Sequence, residues 1–126
     1  MEKNSKLTAS KEDYLKVMLA MSNQQEIHSC EVADALGVTR ASVSHMMMVL
    51  KEDGFVSKEK YGKVCLTAEG KKLAAEVVRR YDLLKDFFGE FLGVKPETAA
   101  RDACEIEHLI SRETMEKIEK QLAHGI

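Results

Sequence analysis

The 126-residue sequence predicts a mainly α protein, a winged helix-turn-helix domain followed by an all-helical domain. Three observations carry that prediction. Two short apolar-periodic segments meet at Leu36-Gly-Val-Thr39. An alternating, lysine-bearing stretch follows from Phe55 to Thr67, and beyond it the apolar residues repeat at helical spacing to the end of the chain. The expected division is residues 1–72 and residues 73–126.

Ser10-Lys-Glu-Asp13 reads as a capping box opening a first helix, with Tyr14, Val17, Met18 and Met21 at helical spacing and an end near Ser22-Asn23. Cys30 to Leu36 is a short helix stopped by Gly37, with Val32, Ala33 and Leu36 inward. Thr39 caps the next, whose core positions are Val43, Met46, Met47 and Leu50 and whose stop is Asp53-Gly54. Two short strands then turn at Tyr61-Gly62. Thr67-Ala-Glu-Gly70 opens a long helix expected to reach about Phe91, broken by Gly93. Pro96-Glu97 starts a helix expected to run through Ile110, and Ser111 starts the last, with Met115, Ile118 and Leu122.

Composition narrows the setting. At 44% hydrophobic and 32% charged, the chain suits one compact domain or two small ones sharing a core. Three scattered cysteines, at 30, 65 and 104, make no disulfide framework and suit a reducing cytoplasm. The polar start and the absence of a long apolar run argue against a signal peptide or membrane span. Net charge is -2, but residues 1–72 hold 11 basic against 10 acidic side chains and residues 73–126 hold 8 against 11. Contact with a polyanion therefore belongs to the first part.

The helix pair has the form of a helix-turn-helix, and its second helix opens with small and polar residues. Ala41 and Ser42 let the helix start approach base edges, while Thr39, Arg40, Ser44 and His45 offer bonds to phosphates or bases. A solvated helical hairpin would show the same pattern. The hairpin that follows, with Lys58, Lys60 and Lys63 around its turn, favours a wing whose ammonium groups neutralise phosphates. The apolar load of the later helices exceeds what so small a unit covers alone, so a second copy is expected against it. A homodimer presenting two such helices reads a palindromic site in double-stranded DNA.

Cys104, Glu107 and His108 form the other constellation. At i, i+3 and i+4 of a helix they share one face, and a thiolate, carboxylate and imidazole together suit a transition metal. Three ligands leave the set incomplete, and Asp13 offers a fourth, although it serves equally well as the capping-box residue of the first helix. The triplet reads equally well as a buried cysteine beside a solvated Glu-His pair.

Across nearly its whole length the chain resembles the diphtheria toxin repressor and manganese transport regulator group of metal-dependent transcriptional repressors. The resemblance lies in Lys11-Glu-Asp-Tyr-Leu15, Val32-Ala-Asp-Ala-Leu-Gly-Val38, Ser42-Val-Ser44, Leu66-Thr-Ala-Glu-Gly-Lys-Lys72 and, most specifically, Ala103-Cys-Glu-Ile-Glu-His108. It implies that Cys104, Glu107 and His108 are metal ligands with Asp13, and that the Cys104 carbonyl joins them. The positions matching a second ion of the family are Tyr81, Lys16, Lys85 and Ala100, which are not ligands. One full site per subunit is expected, or a second built differently with Glu105. The SH3-like third domain of larger members is not expected here. The carboxylates suit Mn2+ and the thiolate pulls toward Fe2+, so the implied cofactor is Fe2+ or Mn2+, with Fe2+ slightly favoured; Zn2+ and Co2+ are expected to bind in vitro.

Ligands drawn from both domains would bias the two reading heads toward one spacing and tighten DNA binding, repressing metal uptake genes. The rival reading is a winged-helix regulator sensing an oxidant or small molecule through Cys104. A small metalloenzyme has no support in oxyanion loops or spare acid/base groups, so no catalysis is expected. His28 and His124 read as solvated surface.

Overall fold

The computed structural model describes residues 8–22, 27–58 and 63–125. They divide into two units, Met1–Ala75 and Glu76–Ile126.

In the first unit, α1 (Ala9–Met21) is capped by Thr8, whose hydroxyl accepts a hydrogen bond from the Lys11 amide at 3.2 Å. The expected cap at Ser10 is therefore displaced by two residues. Thr8 supplies the same chemistry earlier, and the helix gains half a turn by using it. Asp13 then lies in the helix interior and is free of a capping-box role. Tyr14, Leu15 and Met18 are the apolar side chains α1 buries. A two-residue strand β1 (Ile27–His28) leads into α2 (Ser29–Leu36), which ends at Gly37 with φ +68°. Glycine is needed there for its left-handed backbone and not for space, since a β-carbon would meet nothing within 4 Å. Thr39 caps α3 (Arg40–Glu52), accepting from the Ser42 amide at 3.1 Å, and Val43, Met47 and Leu50 are its buried face.

Strands β2 (Val56–Lys58) and β3 (Lys63–Leu66) pair antiparallel, Val56 opposite Leu66 and Lys58 opposite Val64. The strand β1, absent from the sequence prediction, pairs with the other edge of β3 through Ile27–Val64 and His28–Lys63, giving the order β1-β3-β2. Two residues carry too little periodicity to announce a strand. Val56, Val64 and Leu66 point into one core with Leu15, Met18, Ile27, Val32, Val43, Met47, Leu50 and Phe55. Each such side chain contributes about 1.5–3 kcal/mol on burial. The turn expected at Tyr61-Gly62 lies outside the described residues.

Thr67 ties the hairpin to the next helix. Its amide donates to the Phe55 carbonyl at 3.0 Å, and its hydroxyl donates to the Gly54 carbonyl at 2.7 Å while accepting from the Gly70 amide at 3.0 Å. Helix α4 (Ala68–Asp86) starts in the first unit and ends in the second.

In the second unit, α4 gives way to a π-helical turn, Phe87–Phe91, in which the Leu92 amide donates to the Phe87 carbonyl at 3.0 Å. The expected helix to Phe91 is thus right in extent and wrong in its final winding. Phe87 and Phe91 stack with centroids 5.0 Å apart. Gly93, at φ +77°, ends the segment. Helix α5 (Pro96–Ile106) follows, then α6 (Arg112–Gly125), whose start is held by the Ser111 hydroxyl accepting from the Thr114 amide at 3.1 Å. Leu84, Ala103 and Met115, one from each helix, form the buried centre. That centre is small, and Phe91, Leu92 and Leu109 are left exposed. Among the described residues, no helix is long and apolar enough to cross a membrane.

Candidate nucleic-acid interface and metal centre

The exposed face of α3 is built by its core face. With Val43, Met47 and Leu50 buried, helical spacing turns Ala41, Ser42, Ser44 and His45 outward, and all four are exposed, as are Thr39 and Arg40 at the helix start. The face borders an open groove of about 480 Å³ that Ser10, Tyr14 and Val38 help to line, so the N-terminal half of the helix is not walled in. Two of the polar groups are committed locally: the Thr39 hydroxyl caps the helix and also bonds the Ser42 hydroxyl at 3.0 Å. Arg40, Ser44 and His45, and the Ser42 hydroxyl as a donor, are available to a ligand on this face. Met48 was missed by the sequence reading. It is 59% exposed and continues the Ala41, Ser44 and His45 stripe by helical spacing. Its position three residues after His45 was the available signal.

The lysines of the hairpin are placed in part. Lys58 ends β2 and Lys63 opens β3 as a half-buried residue opposite His28, while Lys60 lies outside the described residues.

The metal-type residues of the second unit sit at the end of α5. That helix stops at Ile106, four residues before the expected Ile110, and Glu107 becomes its C-cap, with its amide donating to Ala103 and the Leu109 amide donating to Ile106. Cys104 lies within the helix, Glu107 keeps helical backbone dihedrals at its C-cap, and His108 falls in the turn that follows. Their three ligand atoms do not all lie within 4.8 Å of one another. Cys104 is half-buried and is not part of a disulfide.

Glu107 and His108 are nevertheless together. The Glu107 side chain is wholly buried, and its Oε1 lies 4.0 Å from His108 Nδ1. Its Oε2 accepts from the Arg80 guanidinium at 3.0 Å, and Arg80 Nε donates to the Glu107 backbone carbonyl at 3.3 Å. Oε1 has no hydrogen-bond partner among the described residues. A buried carboxylate oxygen without a donor is costly, and a cation satisfies it. The residues present therefore fit a metal ion. Arg80 was not singled out from the sequence, because 27 residues separate it from Glu107.

In the first unit, Asp13 is half-buried on α1, and its neighbour Glu12 is the buried carboxylate at 4% exposed. The signal for Glu12 was its place one turn before Leu15, on the stripe that α1 buries.

The fold and these residues define a winged helix-turn-helix protein with an added helical domain. Residues 6–64 match the iron-dependent repressor N-terminal DNA-binding domain, and residues 67–125 match the iron-dependent repressor metal-binding and dimerisation domain. A helix-turn-helix-type transcriptional regulator of Methanocaldococcus jannaschii is 32% identical over 114 residues, covering 89% of this chain and 91% of its own. The transcriptional regulator MntR of Lysinibacillus sphaericus is 34% identical over 112 residues, covering 88% and 80%. Among solved structures, the manganese regulator SloR matches with a TM-score of 0.80 at 29% identity, over 90% of this chain and 54% of that one. A manganese-dependent transcriptional repressor in complex with manganese matches at 0.78 and 30%, over 90% and 52%. The chain thus spans about half the length of those solved chains. It belongs to the iron-dependent repressor family.

Proposed function

We propose that this chain is a cytoplasmic, metal-activated transcriptional repressor of metal uptake genes. It acts as a homodimer on a palindromic operator in double-stranded DNA, and it is assigned no catalysis. The observation that carries the reading is the wholly buried Glu107, with Oε1 unpartnered among the described residues and 4.0 Å from His108 Nδ1, in a chain whose other unit exposes the face of α3. The proposed ligands are Asp13, Cys104, Glu107 and His108. Fe2+ or Mn2+ is the proposed activator, the thiolate favouring Fe2+ and the carboxylates Mn2+, with Zn2+ and Co2+ able to substitute in vitro. The bound ion supplies positive charge to the buried carboxylate. Thr39, Arg40, Ala41, Ser42, Ser44 and His45 meet the major groove, and Lys58, Lys60 and Lys63 meet phosphates. The exposed Phe91, Leu92 and Leu109 give a second copy an apolar surface to cover.

Fluorescence anisotropy tests this. Labelled DNA from upstream of the protein's own gene is titrated with chelated protein, then anaerobically with Fe2+ or Mn2+. Activation tightens binding by roughly 5- to 150-fold, the usual range of coupling between sites. Asp13→Ala removes that gain. Equal affinity with and without metal sinks the reading. A response to peroxide lost in Cys104→Ser, with metal irrelevant, replaces it by thiol sensing.

A further inference from the structure

We propose that Arg80 is a positioning residue that restricts Glu107 to ligation through one oxygen and so disfavours large ions such as Ca2+. The proposal rests on the metal-binding reading above. Arg80 reaches Glu107 with two groups aimed at different parts of it: a terminal nitrogen 3.0 Å from Oε2, and Nε 3.3 Å from the backbone carbonyl. The second contact fixes the main chain where Glu107 caps α5, and the first fixes the rotation of the carboxylate. A planar, forked guanidinium makes both at once; an ammonium group does not.

With Oε2 held, Oε1 is the oxygen left to a ligand. It is buried without a hydrogen-bond partner among the described residues, 4.0 Å from His108 Nδ1. That separation is too long for a hydrogen bond. Two atoms bound to one transition-metal ion at about 2.0–2.2 Å lie at most roughly 4.4 Å apart, so both fit one small ion. Calcium takes six to eight oxygens and commonly uses both oxygens of a carboxylate, which the Arg80 contact on Oε2 opposes. Charge alone is not the argument, since Arg80 would neutralise Glu107 from several geometries. The argument is that its bond occupies one named oxygen and leaves the other.

The test measures the Mn2+ and Ca2+ dissociation constants of the full chain by chelator competition, for wild type, Arg80→Met and Arg80→Lys. The preference for Mn2+ over Ca2+ is expected to shrink by about tenfold or more in Arg80→Met, the size found when groups holding metal ligands are removed. Arg80→Lys, which keeps the charge without the fork, is expected to behave like Arg80→Met. A crystal structure of the wild type with Mn2+ decides independently of whether Arg80→Met folds: one Glu107 oxygen on the ion, with Oε2 still on Arg80, supports the proposal. An unchanged preference in Arg80→Met, full recovery by Arg80→Lys, or both Glu107 oxygens on the ion overturns it. Wild type that binds no Mn2+ brings down the metal reading together with the role of Arg80. Wild type and Arg80→Met binding Mn2+ with one and the same preference brings down the role of Arg80 alone.

Discussion

A β-carbon on Gly70 would overlap the carbonyl of Phe55, so the first turn of α4 lies directly on the backbone that joins α3 to the wing. The Thr67 hydroxyl bonds on either side, to the Gly54 carbonyl and from the Gly70 amide, fix that approach.

Gly70→Ala therefore separates helix propensity from packing. In an exposed helix the change would stabilise by about 1 kcal/mol. Here the obstructing atoms are backbone, which cannot swing aside, and a loss of about 1–3 kcal/mol is expected. Urea unfolding followed by circular dichroism reads the sign; a stabilised Gly70→Ala would show that the approach is looser than described.

Lys11 and Asp53 join the first turn of α1 to the C-cap of α3 at 2.8 Å, with both side chains less than one-fifth exposed. At that burial the pair is worth more than a surface bridge and is still partly hydrated. A double-mutant cycle of Lys11→Met and Asp53→Asn is expected to return a coupling of about 1 kcal/mol, and a value near zero would mean that the ion pair carries no energetic weight.

Metal removal has a readout independent of DNA. Saturating Mn2+ at about 100 times its dissociation constant stabilises the folded state by about 2.7 kcal/mol, seen as a rise in Tm that chelator reverses. Glu107→Gln, which replaces the carboxylate by a neutral amide of the same shape, is expected to abolish the rise. Persistence of the rise would place the ion elsewhere.

On DNA, two variants should behave differently. Lys58→Ala lowers affinity on all sequences alike and makes the slope of log affinity against log salt shallower by about 0.9 if one phosphate contact is lost. Met48→Ser leaves the slope unchanged and alters preference at one base pair, because an exposed thioether on the recognition face reads shape and the thymine methyl, not charge. Identical salt slopes in wild type and Lys58→Ala would remove Lys58 from the interface.

Much of the fold is legible because its signals are local. Gly37 and Thr39 bracket the turn of the helix pair through a left-handed backbone and a side-chain cap, both decided within four residues. The outward face of α3 follows from the period of Val43, Met47 and Leu50. The cap of α1 shows where local reasoning divides, since Thr8 and Ser10 offer the same chemistry two residues apart and only the folded helix shows which is used.

By itself, the sequence determined the winged helix-turn-helix, the helical second unit and the presence of Cys104, Glu107 and His108, because helical period, caps and turn residues act over a few positions. Tertiary structure decided the rest. The two-residue strand β1 exists only because β3 offers it an edge. The end of α5 at Ile106 leaves Glu107 at the C-cap and His108 in the turn beyond it. Burial of Glu107 and its bond to Arg80 join residues 27 positions apart, and Lys11 meets Asp53 across 42. Such pairs depend on how helices pack in three dimensions, and no pattern along a single helix encodes them.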